Sequence, residues 1–379
     1  MDGLSRALLP IVDAAEKIAL GPPEGDDIAF LDGLLCTVAL PRSRVSGNVF
    51  ERASGRAALR VEAGQLWNGR KWVRQIVPYG PIPRLMLAWI CTQALRCESK
   101  EIWIGNSASE FLRLIGKPAT GGQANRGAHV ALRSQAAALS ACRLQLGWST
   151  GKRISTANLQ PIVQFEAWAG GDERQRSLWS PTLTLSEEFY ARLAKHSAPL
   201  DWRALCALGG SALALDIYSW LAHRLHRLRT PGYLPWCSLR DQFGQEYIGA
   251  NGAKNFKRAF SDSLVRALTV YPQADVSVVH GGLRLKPSHP PVVKTLSRSG
   301  DKPVGRATYP RDIATPCTAT LPPPNRGADC DIATPLKPIA FTDSKTNSSD
   351  HESGDNYALV PTPQSERQRK SAATARTLA

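Results

Sequence analysis

Between Ser211 and Lys286 the sequence spells four elements in order, a long helix, a short helix, a basic helix and a β-hairpin, and few folds accept that succession. Ser211 stands as N-cap; Leu213, Ile217, Trp220, Leu221, Leu225 and Leu228 follow at the three- and four-residue steps of a buried stripe, and Thr230-Pro231-Gly232 stops the helix. Trp236 to Phe243 predicts a short helix, with Ser238 and Asp241 at capping spacing and Gly244 at its end. The next helix, Ala253 to Leu268, carries Phe256, Phe260, Leu264 and Leu268 on one face. At about 100° per residue, Lys254, Arg258 and Ser261 fall opposite, with Lys257 at the edge. Val276 to Val279 and Leu283 to Lys286 flank His280-Gly281-Gly282, a turn in which glycine permits positive φ, and this hairpin carries Arg284 and Lys286. The order is that of a winged helix-turn-helix. A cationic helix face by itself is as readily a solvated surface; the elements around this one favour the major groove of duplex DNA.

A similar succession occurs upstream. An apolar helix begins at Ile82, and Ile102 to Ile104 is a short strand. Ser107 and Glu110 then form a capping box before a helix closed by Gly116, and Pro118 to Gly122 is a turn. The helix from Gln123 to Arg143 buries Leu132, Ala136 and Leu139 and presents Arg126, His129 and Arg133. Strand-like runs follow at Leu144 to Trp148 and Ile162 to Trp168, with Lys152 and Arg153 on the connecting turn. Earlier still, Leu59 to Ala63 and Lys71 to Val77 read as a hairpin joined across Gly64 to Gly69. The expected fold class is α+β, predominantly helical, with two winged helix-turn-helix domains in tandem and a disordered C-terminal tail. The expected divisions are a weakly patterned segment 1–50, a first winged-helix domain 51–177, a second 178–288, and a tail 289–379 rich in Pro, Ser and Thr.

Charge sharpens this division. The chain carries a net +15, yet residues 301–379 hold ten Lys and Arg against nine Asp and Glu, so the excess resides in the first 300 residues and favours a polyanionic partner. From residue 290 onward there are 12 of the 27 prolines, one phenylalanine and no tryptophan, too little apolar surface to offset the entropy of ordering. The repeat of Asp312-Ile-Ala-Thr-Pro316 as Asp331-Ile-Ala-Thr-Pro335 in that tail reads as low-complexity drift. Eight scattered cysteines, with no CxxC pair, read as small core residues of a reducing cytoplasm, Cys36, Cys91, Cys142 and Cys206 lying among apolar neighbours. No apolar run reaches the roughly 20 residues of a membrane span.

Catalytic chemistry finds little footing. Gly147-Trp-Ser-Thr-Gly151-Lys152-Arg153 is one residue short of a phosphate loop and has Arg where the magnesium-binding hydroxyl belongs. His223 and His226 lack a third ligand nearby and, among Arg224, Arg227 and Arg229, read as a solvated basic face. No enzyme activity, metal or cofactor is expected.

At Tyr79-Gly-Pro-Ile-Pro-Arg-Leu-Met-Leu-Ala-Trp-Ile-Cys-Thr-Gln-Ala94, Ser107-Ala-Ser-Glu-Phe111 and Thr120-Gly-Gly122 the chain resembles the plasmid-encoded RepA replication initiator family. Trp179, Thr182 to Tyr190, Pro199 to Leu205, Ser211 to Leu221, Leu239 to Gly244 and Phe256-Lys-Arg-Ala-Phe260 extend the resemblance across Phe30 to Pro287. It implies a cytoplasmic bacterial protein that binds repeated double-stranded sites at a plasmid origin, helps open the adjacent DNA and brings the host initiator and replicative helicase. It implies also repression of its own gene, copy-number control, and two winged-helix domains; a homodimer is a further expected partner state. The alanine-rich helix from Gln123 departs from the pattern, so Arg126, His129 and Arg133 are named from helical geometry alone. Lys254, Arg258 and Ser261 are the expected base-facing residues, and Lys257, Lys152, Arg153, Arg284 and Lys286 the expected backbone contacts. A winged-helix transcriptional repressor without initiator activity stands as the alternative.

Overall fold

A first helix, α1 (Gly3–Leu20), buries Ile11, Ala14 and Ile18 at helical steps, and strand β1 (Ile28–Asp32) follows. The computed structural model describes residues 3–117, 123–150, 152–165 and 182–293, all inside one unit, Met1–Ala319. Strands β2 (Val49–Ser54) and β3 (Ala57–Glu62) turn at Gly55, whose φ of 57° suits glycine, and β4 (Gln65–Trp67) and β5 (Trp72–Arg74) make a small hairpin with Trp67 opposite Trp72. Helix α2 (Pro81–Arg96) starts on proline and is buried nearly all round, as its unbroken apolar run requires. After β6 (Glu101–Trp103), helix α3 (Ala108–Leu114) is capped by Ser107 Oγ, which accepts from the Glu110 N–H at 3.1 Å. Then come α4 (Gln123–Ala141), β7 (Arg143–Thr150), β8 (Arg153–Leu159), β9 (Ile162–Phe165), β10 (Thr182–Leu185), α5 (Glu187–His196), β11 (Ser197–Asp201) and α6 (Trp202–Leu208). Helix α7 (Ala212–Arg224) is capped by Ser211 Oγ and is followed by β12 (Gly232–Pro235), α8 (Trp236–Phe243), α9 (Gly252–Thr269), β13 (Val276–Val279) and β14 (Gly282–Leu285).

The antiparallel sheets interleave the chain. Their strand orders are β2-β3-β7-β8, β6-β10-β9, β12-β14-β13, β1-β11 and β4-β5. The product is a mixed α and β architecture in which the N-terminal segment is integral: β1 pairs with β11, and α1 packs on α6.

Four expectations change. Leu59 to Ala63 does not pair with Lys71 to Val77; β3 buries Ala57, Leu59 and Val61 and is flanked by β2 and β7, while β5 turns back on β4. Nor does Leu144 to Trp148 pair with Ile162 onward. The hairpin partner of β7 is β8, whose sequence is largely polar, with Ile154 on the exposed side, and so escapes a search for apolar runs, and β9 joins β10 instead. Trp168, Leu178 and Trp179 lie outside the described residues, as do Pro118 to Gly122 and the expected tail from residue 294. Helix α8 has Pro235 as its N-cap and no side-chain cap, so Ser238 and Asp241 do not cap it. Between α7 and α8 the structure adds β12, the third strand of the last sheet. The helix succession α2, α3, α4 thus parallels α7, α8, α9, but the hairpin after α4 enlarges a four-stranded sheet whereas the one after α9 completes a three-stranded one.

Buried charge fixes how these parts meet. Arg84 of α2 donates to both carboxylate oxygens of Asp216 on α7, at 2.6 and 2.9 Å, and to the carbonyls of Leu40, Pro41 and Gly80; the two side chains are 9% and 5% exposed. Glu246, in the loop between α8 and α9, is held by Arg42 at 2.5 Å and by Arg52 of β2 at 2.8 Å. Burial pushes the Glu246 carboxyl upward, but the Arg42 hydrogen bond and both guanidinium charges outweigh it and bring it down to about 2.

Asp216→Ala strands a buried guanidinium and is expected to cost about 3–5 kcal/mol in denaturant unfolding, whereas Arg84→Met with Asp216→Leu regains most of it; equal losses in the two proteins would deny the pair this role. The Glu246 contribution is present above its ordinary value of 4.5 and is lost as pH falls toward about 2. The stability gap between the wild type and Glu246→Gln should therefore close over that interval in acid titrations.

Candidate nucleic-acid interface

Helix α9 divides as its sequence dictates. Phe256, Phe260 and Leu264 are buried, and Phe260 sits in an aromatic cluster, its ring centroid 5.5 Å from Phe243, 5.5 Å from Phe256 and 5.9 Å from Trp236. Lys254 and Arg258 are exposed on the other face, their side chains with no ion pair or hydrogen bond among the described residues, and Ser261 is half-buried beside them. Lys257 is exposed and its ammonium lies 5.3 Å from the Trp236 ring centroid. The turn into α9 depends on Gly252, where a Cβ would meet the Tyr247 carbonyl oxygen at 2.4 Å. Arg240 donates to that same carbonyl at 3.0 Å.

The hairpin behind α9 is tied to α8 at its tip. Gly281, at φ 80°, lets the chain reverse, and its carbonyl accepts from the Trp236 N–H at 3.0 Å. Arg284 is exposed on the central strand, opposite Tyr233 and Ser277. Lys286 is committed elsewhere: its ammonium pairs with Asp275 at 2.9 Å, which neutralises much of the charge expected for a backbone contact.

The upstream group separates. Arg133 is exposed on α4, but His129 is half-buried with Nε2 3.1 Å from Ser109 Oγ of α3, so it serves at least partly to join two helices. Arg126 lies within α4 with its side chain outside the described residues. On the inner face Leu132, Ala136 and Leu139 are buried as expected, and Gln135 Oε1 accepts from the Tyr79 N–H at 2.8 Å. Lys152 and Arg153 are exposed at the β7–β8 turn. The structure therefore brings Lys254, Lys257, Arg258 and Ser261 together on one helix, and leaves Lys152 and Arg153 together on one turn.

Sequence reasoning missed a basic cleft of about 930 Å³ where α5, α7, α8 and the β2–β3 turn meet. Arg56, Arg192, Lys195, His223, Arg224 and Arg227 line it. This corrects the reading of His223 to Arg229 as a solvated face, because His223 and Arg224 are half-buried in the cleft. The His223 ring closes on Gly33, where a Cβ would lie 2.7 Å from Nε2, and His226 Nδ1 lies 2.9 Å from the Ala222 carbonyl. Burial, then the nearby Arg227 and His226 charges, push His223 down to about 4. The α7 helix and its basic extension carried the signal, but only the fold shows that α5 and the β2–β3 turn add three more cations.

Among the described residues no three His, Cys, Asp or Glu side chains come together as a metal-binding group, and no helix is long and apolar enough to cross a membrane. Cys36, Cys91 and Cys142 are buried free thiols, while Cys206 is half-buried against Gly116.

Residues 77–232 match the model of a family described as plasmid encoded RepA protein. A selenomethionine derivative of domains 2 and 3 of RctB is 14% identical, with a TM-score of 0.39 over 67% of this chain and 97% of that one. A second crystal structure of RctB domains 2-3 gives 14% identity and a TM-score of 0.37 over 66% and 94%. Overlap of that order transfers no residue role. No curated protein matches the sequence.

His223 held neutral gives stability that is complete above its ordinary value of 6.5 and declines as pH falls toward about 4. Denaturant unfolding should show the wild type losing stability relative to His223→Gln across that interval, and a constant difference would mean that His223 is hydrated.

Proposed function

Residues 77–232 carry the signature of the plasmid-encoded RepA family, and from that premise we propose that the chain is a plasmid replication initiator that binds repeated double-stranded sites at the origin. One structural observation supports the DNA-binding part most directly: α9 is seated on buried aromatics and turns two unpaired cations, Lys254 and Arg258, to solvent ahead of a glycine-turned hairpin. With β12 completing the sheet, the order α7, β12, α8, α9, β13, β14 supports reading this part as a winged helix-turn-helix, in which the second helix of the pair enters the major groove. Helices α2, α3 and α4, with the β7–β8 hairpin, form the second winged reading unit on this view, presenting Arg133, Lys152 and Arg153.

Arg258 is assigned to a base edge, where a guanidinium reads guanine through two hydrogen bonds, and Lys254 to base or phosphate. Lys152 and Arg153 are assigned to the backbone. The protein acts in the bacterial cytoplasm by binding rather than by catalysis, needs no cofactor or metal, helps open the adjacent DNA, and delivers the host initiator and replicative helicase to it. The same binding limits its own expression and plasmid copy number.

Footprinting across the protein's own upstream region is the direct experiment. Tandem protected repeats beside an AT-rich stretch are expected, and a gene supplied in trans should replicate a plasmid that carries this region but lacks an initiator. Protection without replication would make the protein a repressor. On the protected site Arg258→Ala should lose about 1–3 kcal/mol of discrimination against random duplex, whereas Lys152→Ala with Arg153→Ala should weaken both duplexes alike and reduce the salt slope by roughly 0.9 for each phosphate left without its cation. Equal losses on both duplexes for Arg258→Ala would refute its assignment to a base.

A further inference from the structure

The cleft joins two groups of cations that the sequence leaves far apart. Its lining includes Trp148, Ser149 and Thr150, the end of β7, directly before the turn that bears Lys152 and Arg153. It also includes Ser238, Asp241 and Gln242 of α8, the helix that precedes α9. We propose that this cleft seats the sugar–phosphate backbone of the duplex whose bases α9 reads, a grip without sequence choice that links the two winged units along one strand of DNA. The inference rests on the DNA-binding reading and adds to it a site that neither the family match nor the sequence pattern marks.

Three observations carry it. First, the charge in the cleft is not balanced. Among the described residues Asp241 is the only carboxylate in its lining, and Asp32, buried behind it, is already held by Arg192 at 2.8 Å. Arg56, Lys195 and Arg227 are exposed and have no ion pair among the described residues. Cations of one sign in a concave surface with low-dielectric walls concentrate the potential, and a polyanion is the partner that lowers their mutual repulsion.

Second, the lining suits phosphate rather than a free nucleotide. Ser54, Ser149, Thr150 and Ser238 bring hydroxyl groups, which donate to phosphate oxygens. Trp148 is the only Trp, Tyr or Phe among the described residues of the lining, and the Arg192 guanidinium lies 5.2 Å from its ring centroid, occupying one face that a base would stack on. Third, the location is right. In a helix-turn-helix the first helix crosses the DNA backbone while the second enters the groove, and here it is the first helix, α8, that lines the cleft.

The experiment compares the wild type with the triple variant Arg56→Gln, Lys195→Gln, Arg227→Gln, all three side chains being exposed. Dissociation constants are measured on the footprinted duplex and on a random duplex of equal length, across a salt series. Removing three phosphate-neutralising cations predicts a fall in the salt slope of roughly 2 to 3, a loss of at least about tenfold on both duplexes at about 0.1 M salt, and an unchanged ratio between them. Unchanged slopes and constants while the wild type still binds overturn the inference and leave the DNA-binding reading standing. So does a changed ratio at constant slope, which places base reading or fold maintenance in the cleft. Pyrophosphate or ATP binding to the wild type but not to the triple variant, with both duplexes held equally by the two proteins, also overturns it, in favour of a small-phosphate site. If the wild type binds neither duplex, both the reading and the inference fall; if it binds, Arg258→Ala, outside the cleft, tests the reading by itself, since it should alter the ratio between the duplexes whatever the cleft variant does.

Discussion

Two buried ionic clamps hold the described structure in a single geometry. Arg84 and Asp216 bolt α2 to α7, the long helices of the two parallel successions, and Arg42 and Arg52 close on Glu246 in the loop between α8 and α9. Hydrophobic residues of similar volume would hold such surfaces about as strongly, since desolvation consumes much of a buried pair's attraction. The clamps add direction. One guanidinium of each clamp also meets carbonyls of the stretch leading to Pro41, Arg84 binding those of Leu40 and Pro41 and Arg52 that of Ala39, so three separate parts of the chain register against one another. Gln242 donates to the Thr37 carbonyl in the same region, and the α8–α9 pair is thereby pinned to the N-terminal segment. A greasy contact permits sliding; a fork of donors set on fixed oxygens does not.

How much of this was legible in the sequence depended on whether the determining partner was near in sequence. The Ser211 and Ser107 caps, the Phe256–Phe260–Leu264 floor and the Gly281 turn each rest on residues within a few positions of one another, and each is where the pattern placed it. Strand β8 was not legible, because Arg153, Ser155, Thr156 and Asn158 are polar and Ile154, exposed, is out of phase with Ala157 and Leu159. The pairing of β1 with β11 was beyond reach for another reason: nothing local to Ile28–Asp32 names Ser197–Asp201 as its neighbour. Of the candidate site, the α9 face was legible from periodicity alone. The pairing of Lys286 with Asp275 was not legible because the two are joined only by the hairpin between them, and the cleft was missed because its cations come from three elements that periodicity treats separately.

Net charge, likewise, says less than its allocation. Many cations are answered at home: Arg60 by Glu51 and Glu62, Arg96 by Asp26, Lys100 by Glu187, Arg203 by Asp201. The exposed ones, Arg60 with Glu51 and Lys100 with Glu187, contribute little to stability, but all of them remove charge from the field seen by a partner. What remains without an ion pair among the described residues includes Lys254 and Arg258 on α9, Lys152 and Arg153 on one turn, and Arg56, Lys195 and Arg227 in the cleft. A basic balance of +15 would attract any polyanion; the residual pattern marks where one would lie.

On the proposed reading the base-facing side of α9 is short, and its length bears on the proposal that the sites come in repeats. From Lys254 to Ser261 is about two helical turns, roughly 10 Å of axis, beyond which the exposed side is continued by Asp262 and the 63%-exposed Val265. That is about three base pairs at the rise of B-DNA. Contacts to so few pairs, each worth roughly 1–3 kcal/mol of discrimination, cannot single out one site among millions of competitors. Rigid coupling to a second reading unit multiplies the discrimination, because both must find their bases at one fixed separation, and the clamps at Asp216 and Glu246 are what would hold that separation constant. A sequence-blind hold on the intervening backbone is then compatible with specificity, since it strengthens every register equally and leaves the choice to the two helices.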